Sequence, residues 1–138
     1  MERKFFFFDI DNTLAVWPEG KIPASAQYCI DELQRRGHLV SLATGRIQVD
    51  AMRFAEQAGI RNVVADGGHS ITIDGKLVSM IGMNRDMCIQ YLEYLESKHI
   101  PWAVTDRNKL GRITPYKEIL DWHPGWDVFK TIVEPKFD

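Results

Sequence analysis

Residues 5–15 read FFFFDIDNTLA, an apolar run that meets two carboxylates with one residue between them. Charges that close repel, and either Asp9 or Asp11 would take up a proton unless a cation stood beside the pair. Magnesium suits oxygen donors and is commonly held by one or two carboxylates together with a substrate phosphate. A carboxylate can also act as a nucleophile and form an acyl phosphate. A second carboxylate can protonate the leaving oxygen and later take a proton from water. Thr44, in LATGR, leaves a second apolar run where a helix begins. The backbone N–H groups of such a helix start favour an anion. An acid pair, a cation and an anion site together point to phosphoryl transfer.

These residues need a frame that gathers them. Residues 4–8 read as a short strand buried on both faces, because a wholly apolar run follows the charge of Lys4. A loop with Asn12, Pro18 and Gly20 follows. Pro23 then opens a helix carrying Ala26, Cys29, Ile30 and Leu33 on one face, and Gly37 stands where a helix-ending glycine belongs. HLVSLA, residues 38–43, predicts a second strand. A helix with Ala51, Phe54, Ala55 and Ala58 on one face ends at Gly59, and NVVA, residues 62–65, predicts a third strand. The order is βαβαβ, which implies parallel pairing with right-handed crossovers. In an open α/β sheet, ligands sit at the carboxyl ends of the strands. Asp9, Asp11 and Thr44 all lie at such ends.

The pattern then changes. SITIDGKLV holds two alternating runs around Asp74-Gly75, a strong signal for a two-residue hairpin. Asn84 caps a predicted helix with Met87, Cys88, Tyr91, Leu92 and Leu95 in one stripe. IPWAVTD and KLGRIT predict short strands, residues 117–122 a short helix, WHPGW an aromatic loop and DVFKTIV a last strand. A boundary near residue 81 divides the chain into 1–80, a parallel α/β unit with its hairpin, and 81–138, a mixed α+β module.

Bulk properties narrow the function classes. The 138 residues suit one ordinary domain, and 45% hydrophobic with 26% charged content is that of a soluble globular protein. A net charge of −2 gives no reason to expect nucleic acid. No apolar run approaches the ~20 residues of a membrane span, and the four phenylalanines fall short of a signal-peptide core, so the expected location is cytoplasmic. Cys29 and Cys88 form no C-x-x-C pair, and Cys29 reads as a reduced, packed thiol. The four histidines have no zinc spacing. An EF-hand starting at Asp9 would need Gly at Leu14 and an acid at Gly20, so that reading fails. A phosphoaccepting receiver fits poorly, since its acceptor would follow the third strand. A plain turn built by Asp and Asn is the remaining alternative.

DIDNTL resembles the first motif of the haloacid dehalogenase (HAD) superfamily. LATGR resembles its second motif in the form found in Cof-like phosphatases with a type IIB cap, and VVADGGHSITIDGKLV is similar to their stretch between third strand and cap. The resemblance implies a Rossmann-like core, here partial, with an α/β cap inserted after the third strand, and Mg²⁺-dependent hydrolysis of phosphate esters such as sugar phosphates. It assigns Asp9 as nucleophile and metal ligand. Asp11 becomes the acid/base, its main-chain carbonyl also on the metal. Thr44, Gly45 and Asn12 become the phosphate-binding set, and residues 12–22 a flap. Arg46, Gly67 and His69 are candidate substrate contacts. Each has a plainer reading: a structural salt bridge for Arg46, a tight turn with Asp66 and Gly68 for Gly67, and a packed or solvated ring for His69. Trp17 is a candidate pocket wall, whereas Trp122 and Trp126 read as core filling.

After its cap the family's chain supplies a lysine and further acids. No G-D-x-x-x-D occurs here, Lys130 reads as part of a cap strand, and Lys136 and Asp138 lie too near the end. The expectation is the first part of such a phosphatase, ending within the cap, with an exposed sheet edge that a homo-oligomer could cover. Two functions follow: a phosphatase of a small phosphorylated metabolite, weak or inactive as this chain alone, or a non-catalytic phosphate-binding or assembly fragment.

Overall fold

In the computed structural model, residues 2–16, 20–105, 108–121 and 130–133 are described. Two compact units divide the chain, Met1–Ile81 and Gly82–Asp138.

The first unit is an α/β layer around a five-stranded sheet of order β1-β2-β3-β4-β5. Its elements are β1 (Phe5–Phe8), α1 (Ala24–Arg35), β2 (Leu39–Ala43), α2 (Gln48–Ala58), β3 (Asn62–Ala65), β4 (Ser70–Ile73) and β5 (Lys76–Met80). β1, β2 and β3 run parallel, with Phe8 opposite Leu42 and Ala43 opposite Val64. β3, β4 and β5 are antiparallel neighbours. Asp74 and Gly75 both take positive φ (52° and 79°), the conformation a tight two-residue hairpin needs. The Arg61 guanidinium secures this turn through the Asp74 carboxylate at 2.7 Å and its carbonyl at 3.0 Å.

The core gathers Ile30 from α1, Val40 and Leu42 from β2, Ala51, Phe54, Ala55 and Ala58 from α2, and Val63 and Ala65 from β3. The small apolar face of α2 is therefore buried as its spacing requires, and α2 packs on β3. A buried polar contact adds to this: Gln48 donates from Nε2 to Thr72 Oγ1 at 3.0 Å, tying the start of α2 to the hairpin. Gly59 ends α2 in the left-handed conformation with φ 67°, and Gly37 follows α1 with φ 80°.

Two readings of the sequence are corrected. β1 is not buried on both faces. Phe5 is 62% and Phe7 58% exposed, while Phe6 and Phe8 on the other face are half-buried. The reason is topological: the α1 and α2 crossovers step the same way through the order β1-β2-β3, so right-handedness puts both helices on one face of the sheet, and Phe5 and Phe7 lie on the other. Cys29 is not packed either. It is exposed, because the inward stripe of α1 runs through Ala26, Ile30 and Leu33 and leaves Cys29 outside.

The second unit holds α3 (Arg85–Ser97) and a three-stranded sheet of order β6-β7-β8, with β6 (Val104–Thr105), β7 (Gly111–Thr114) and β8 (Lys130–Val133). Asn84 caps α3 by accepting from the Asp86 and Met87 amides at 3.0 and 3.1 Å. Of the apolar stripe, Cys88, Leu92 and Leu95 are half-buried and Met87 and Tyr91 exposed. The turn at Lys117–Asp121 is 3₁₀ and buries Ile119. The expectations for Trp17 and for WHPGW, with Trp122 and Trp126, lie outside the described residues.

Candidate active site

The loop after β1 is held by its own apolar residues. Ile10 is fully buried, Leu14 and Ala15 nearly so, and the Ile10 carbonyl accepts from the Leu14 and Ala15 amides at 3.0 and 2.8 Å. The anchor of the aspartate loop is thus Ile10, Leu14 and Ala15, not the exposed Phe5 and Phe7. With Ile10 pinned inward, Asp9 and Asp11 on either side are exposed. The Ile10 amide also donates to Asp9 Oδ1 at 2.8 Å, which orients that carboxylate. Asn12 takes φ 62°, a left-handed conformation that asparagine tolerates, and closes the turn by donating to the Ala15 carbonyl at 3.0 Å.

Thr44 leaves β2 on the same end of the sheet. Adjacent parallel strands lie ~4.8 Å apart, and the register that sets Phe8 beside Leu42 brings the residues just beyond them, Asp9 and Thr44, to neighbouring strand ends. Thr44 is buried, and its Oγ1 accepts from the Arg46 amide at 3.2 Å. That bond uses an oxygen lone pair and leaves the hydroxyl proton to be donated elsewhere. Gly45 is exposed between them.

Arg46 is the most connected side chain here. Its Nη2 and Nε grip Asp11 Oδ1 and Oδ2 at 2.6 and 2.9 Å, a two-bond fork. Its Nη1 reaches Asp50 Oδ2 at 3.1 Å, and its guanidinium carbon lies 5.9 Å from the centre of the Phe54 ring. The bonds from Arg46 hold the Asp11 carboxyl below its ordinary range, with partial burial opposing them and charge attraction assisting. Asp11 is therefore a carboxylate at neutral pH.

The end of β3 closes the group. Asp66, with φ 52°, accepts at Oδ2 from the Gln48 amide at 3.2 Å and from the Ser70 hydroxyl at 2.6 Å. Asp66 also donates its amide to the Arg46 carbonyl at 2.8 Å, and Gly67 donates to the Thr44 carbonyl at 3.3 Å. The first turn of α2 thus receives the carboxylate of Asp66. His69 is exposed, with Nδ1 3.0 Å from the Asp66 carbonyl oxygen.

The structure brings Asp11 onto Arg46, and Thr44 and Gly67 onto one another, along one end of β1, β2 and β3. Asp50, which the sequence did not single out, and Asp66, which it read only as part of a turn at this sheet edge, complete the group. Asp50 is the second acceptor of Arg46, one helical turn further on, and its i, i+4 spacing was a readable signal. Asp66 braces Arg46, Gln48 and Ser70 together, a long-range role with no local pattern.

Asp9 and Asp11 are hard oxygen donors of the kind magnesium takes. Among the described residues no third His, Cys, Asp or Glu joins them in a cluster that could hold a metal. The donor set fits magnesium only as part of a shell.

Paired acids follow the first strand of a parallel α/β sheet and a threonine follows the second, at the end of the sheet where such folds receive a ligand. The family comparison agrees: residues 6–126 match haloacid dehalogenase-like hydrolase, and the chain belongs to that family. A Bacillus subtilis (strain 168) protein, YkrA, provisionally named a phosphatase, is 32% identical over 78 residues, which are 56% of this chain and 30% of that protein. Among solved structures, the chain is similar to the HAD subclass IIB sugar phosphatase BT4131, at 16% identity and TM-score 0.74, covering 96% of this chain and 53% of that one. A haloacid dehalogenase-like hydrolase from Bacteroides thetaiotaomicron gives TM-score 0.77 at 15% identity, covering 99% and 53%. These likenesses show the fold, and the chain spans about half the length of those structures. Among the described residues no helix is long and apolar enough to cross a membrane.

Proposed function

We propose that this chain carries the nucleophile and acid/base of a phosphate-ester hydrolase acting on a small phosphorylated metabolite, a sugar phosphate or a molecule of similar size. One observation carries the reading. Asp9, Asp11 and Thr44 stand at the carboxyl ends of two adjacent parallel strands, where an α/β sheet receives its ligand.

Asp9 attacks the phosphorus in line with the ester oxygen and becomes an aspartyl phosphate as the P–O bond breaks. Asp11 gives a proton to the departing oxygen, then takes one from the water that attacks the acyl phosphate, which returns Asp9 and releases phosphate. The Thr44 hydroxyl donates to a phosphoryl oxygen, with Gly45 and Asn12 lining the same anion. Arg46, Gly67 and His69 stand next to it as contacts for the rest of the substrate. Magnesium, held by Asp9 and the Asp11 carbonyl, would neutralise charge between phosphate and nucleophile.

The Arg46 fork bears on this sequence. An Asp11 held as a carboxylate by arginine has no proton to give, so Arg46 must let go and Asp11 must take up a proton, from solvent or from a monoprotonated phosphate ester, before the first step. A phosphate dianion is a natural competitor for a guanidinium. Turnover by this chain alone is expected to be slow, since the Asp9–Asp11 donor set supplies only part of a metal shell. Residues 1–80 act as the hydrolase core in this reading and 81–138 as part of a cap, in a cytoplasmic protein.

A second reading, a phosphate-binding unit without turnover, is favoured by that same partial donor set. Assays with p-nitrophenyl phosphate and magnesium separate the two. The hydrolase reading expects slow release of nitrophenol that stops with EDTA and in Asp9→Asn. The binding reading expects beryllofluoride or phosphate to bind with no turnover above the Asp9→Asn background.

A further inference from the structure

Arg46 is held along its whole length. Its amide donates to Thr44 Oγ1 at 3.2 Å and its carbonyl accepts from the Asp66 amide at 2.8 Å, so its main chain is fixed at the exit of β2. The guanidinium then divides its donors between two carboxylates. Nε and Nη2 bond to Asp11, and Nη1 bonds to Asp50 at 3.1 Å. The two acceptors differ in their surroundings. The Asp11 side chain is 58% exposed and the Asp50 side chain 12%. Water therefore competes with the first contact and is largely kept from the second. Asp50 also shares one face of α2 with Phe54, four residues on, whose ring centre lies 5.9 Å from the guanidinium carbon and adds a cation–π contact. All of these residues lie in the first unit.

We propose that Asp50 is a positioning residue: it keeps the Arg46 guanidinium at the site when an oxyanion takes the Nε–Nη2 edge from Asp11. This role rests on the reading of the site as one that receives a phosphate ester. An arginine side chain is long and rich in rotamers. An Arg46 that released Asp11 with no second hold would swing into solvent, and an arriving phosphate would have to order it again. With Nη1 on Asp50 and Phe54 beside it, only one partner is exchanged. The outer edge passes from a carboxylate to a pair of phosphate oxygens, a planar fork suited to either, while the inner corner stays bonded. Arg53 Nη1 lies 4.0 Å from Asp50 Oδ1 and offsets part of the Asp50 charge, which reduces its repulsion of an incoming anion.

Asp50 also has a plainer role. It is the acidic residue in the first turn of α2, where a negative charge is favourable. That role affects stability alone. It needs no bond to Nη1, and it gives no reason for phosphate affinity to depend on Asp50 and Arg46 jointly.

Titration of the isotope-labelled chain with inorganic phosphate in the presence of magnesium, followed by NMR at the Gly45 amide and the Arg46 Nε–H, tests this role. Asp50→Ala should bind phosphate roughly fivefold more weakly than the wild type, because a long side chain must then be ordered on binding. Asp50→Asn keeps an acceptor without the charge and should fall between the two. In an Arg46→Ala background, Asp50→Ala should cause no further loss, since a residue that acts through Arg46 has nothing left to position. At saturating phosphate the Arg46 Nε–H should stay one resolved signal in the wild type and broaden in Asp50→Ala. Asp50→Asn carries the test should Asp50→Ala fail to fold by circular dichroism. Phosphate binding by the folded variant as tight as the wild type's, or tighter, overturns the proposal. A loss of the same size with and without Arg46 overturns it as well. In both cases phosphate binding by the wild type leaves the reading of the site standing. A wild type that binds no phosphate at Gly45 overturns both.

Discussion

Arg46, at the exit of β2, holds both carboxylate oxygens of Asp11, from the loop after β1, at 2.6 and 2.9 Å. The pair spans two neighbouring strand ends and fixes the ionisation of the proposed acid/base. It also makes Asp11 answer to anything that competes for the guanidinium.

Asp11 should therefore titrate below an ordinary aspartate, and Arg46→Ala should return it toward the ordinary value of about 4. Carboxyl-detected NMR titration would follow it directly. Added phosphate or tungstate should raise the Asp11 pKa in the wild type and leave Arg46→Ala unmoved.

The same pair sets a pH dependence of stability. A carboxyl depressed on folding contributes stability above its unfolded value, and that contribution is lost as pH falls through the folded value. The loss should begin near pH 4 and continue downward, and it should be absent in Arg46→Ala. Its size stays below about 1 kcal/mol, because Asp11 is more than half exposed and solvent screens the pair. Urea denaturation at pH 3 and pH 6 measures the difference.

Asp66→Ala should cost about 1–2 kcal/mol, the loss of a helix-start acceptor plus a bond to Ser70. Asp66→Asn keeps one acceptor oxygen and a residue that tolerates positive φ, so its cost should be smaller. Chemical denaturation of the three proteins ranks them.

Phe54→Ala should cost about 3–5 kcal/mol, since the ring is buried in α2 among Ala51, Ala55 and Ala58, whose small side chains offer little to collapse into the void. Against a typical total of about 5–15 kcal/mol, partial unfolding at 37 °C is expected. A thermal melt by circular dichroism would show it.

What could be read from the sequence follows the range of the interaction. The strands at 62–65 and within 70–78, the Asp74-Gly75 turn, the Asn84 cap and the face Ala51, Phe54, Ala55, Ala58 are each set by a period or a local bond, and all are present, the second hairpin strand running on to Met80. The exposure of Phe5 and Phe7 was not legible, because an apolar run does not say which of a strand's faces a helix covers. Cys29 was misplaced because a helical stripe has two flanks and only packing selects one. Asp66 was read as part of the turn after the third strand, but its bracing role was not legible because its partners Gln48 and Ser70 come from different elements. For the site, the motif resemblance pointed to Asp9, Asp11 and Thr44. The Arg46 fork, which joins residues far apart in sequence, needed coordinates.

The account stands most directly on Asp9 as the phosphoryl acceptor. The chain should be incubated with magnesium and acetyl phosphate, acid-quenched and read by peptide mass spectrometry. A phosphoryl adduct on the peptide bearing Asp9, present in Asp11→Asn and absent in Asp9→Asn, is the predicted result. An adduct on any other residue, or none in the wild type while Asp9→Asn behaves identically, would contradict it.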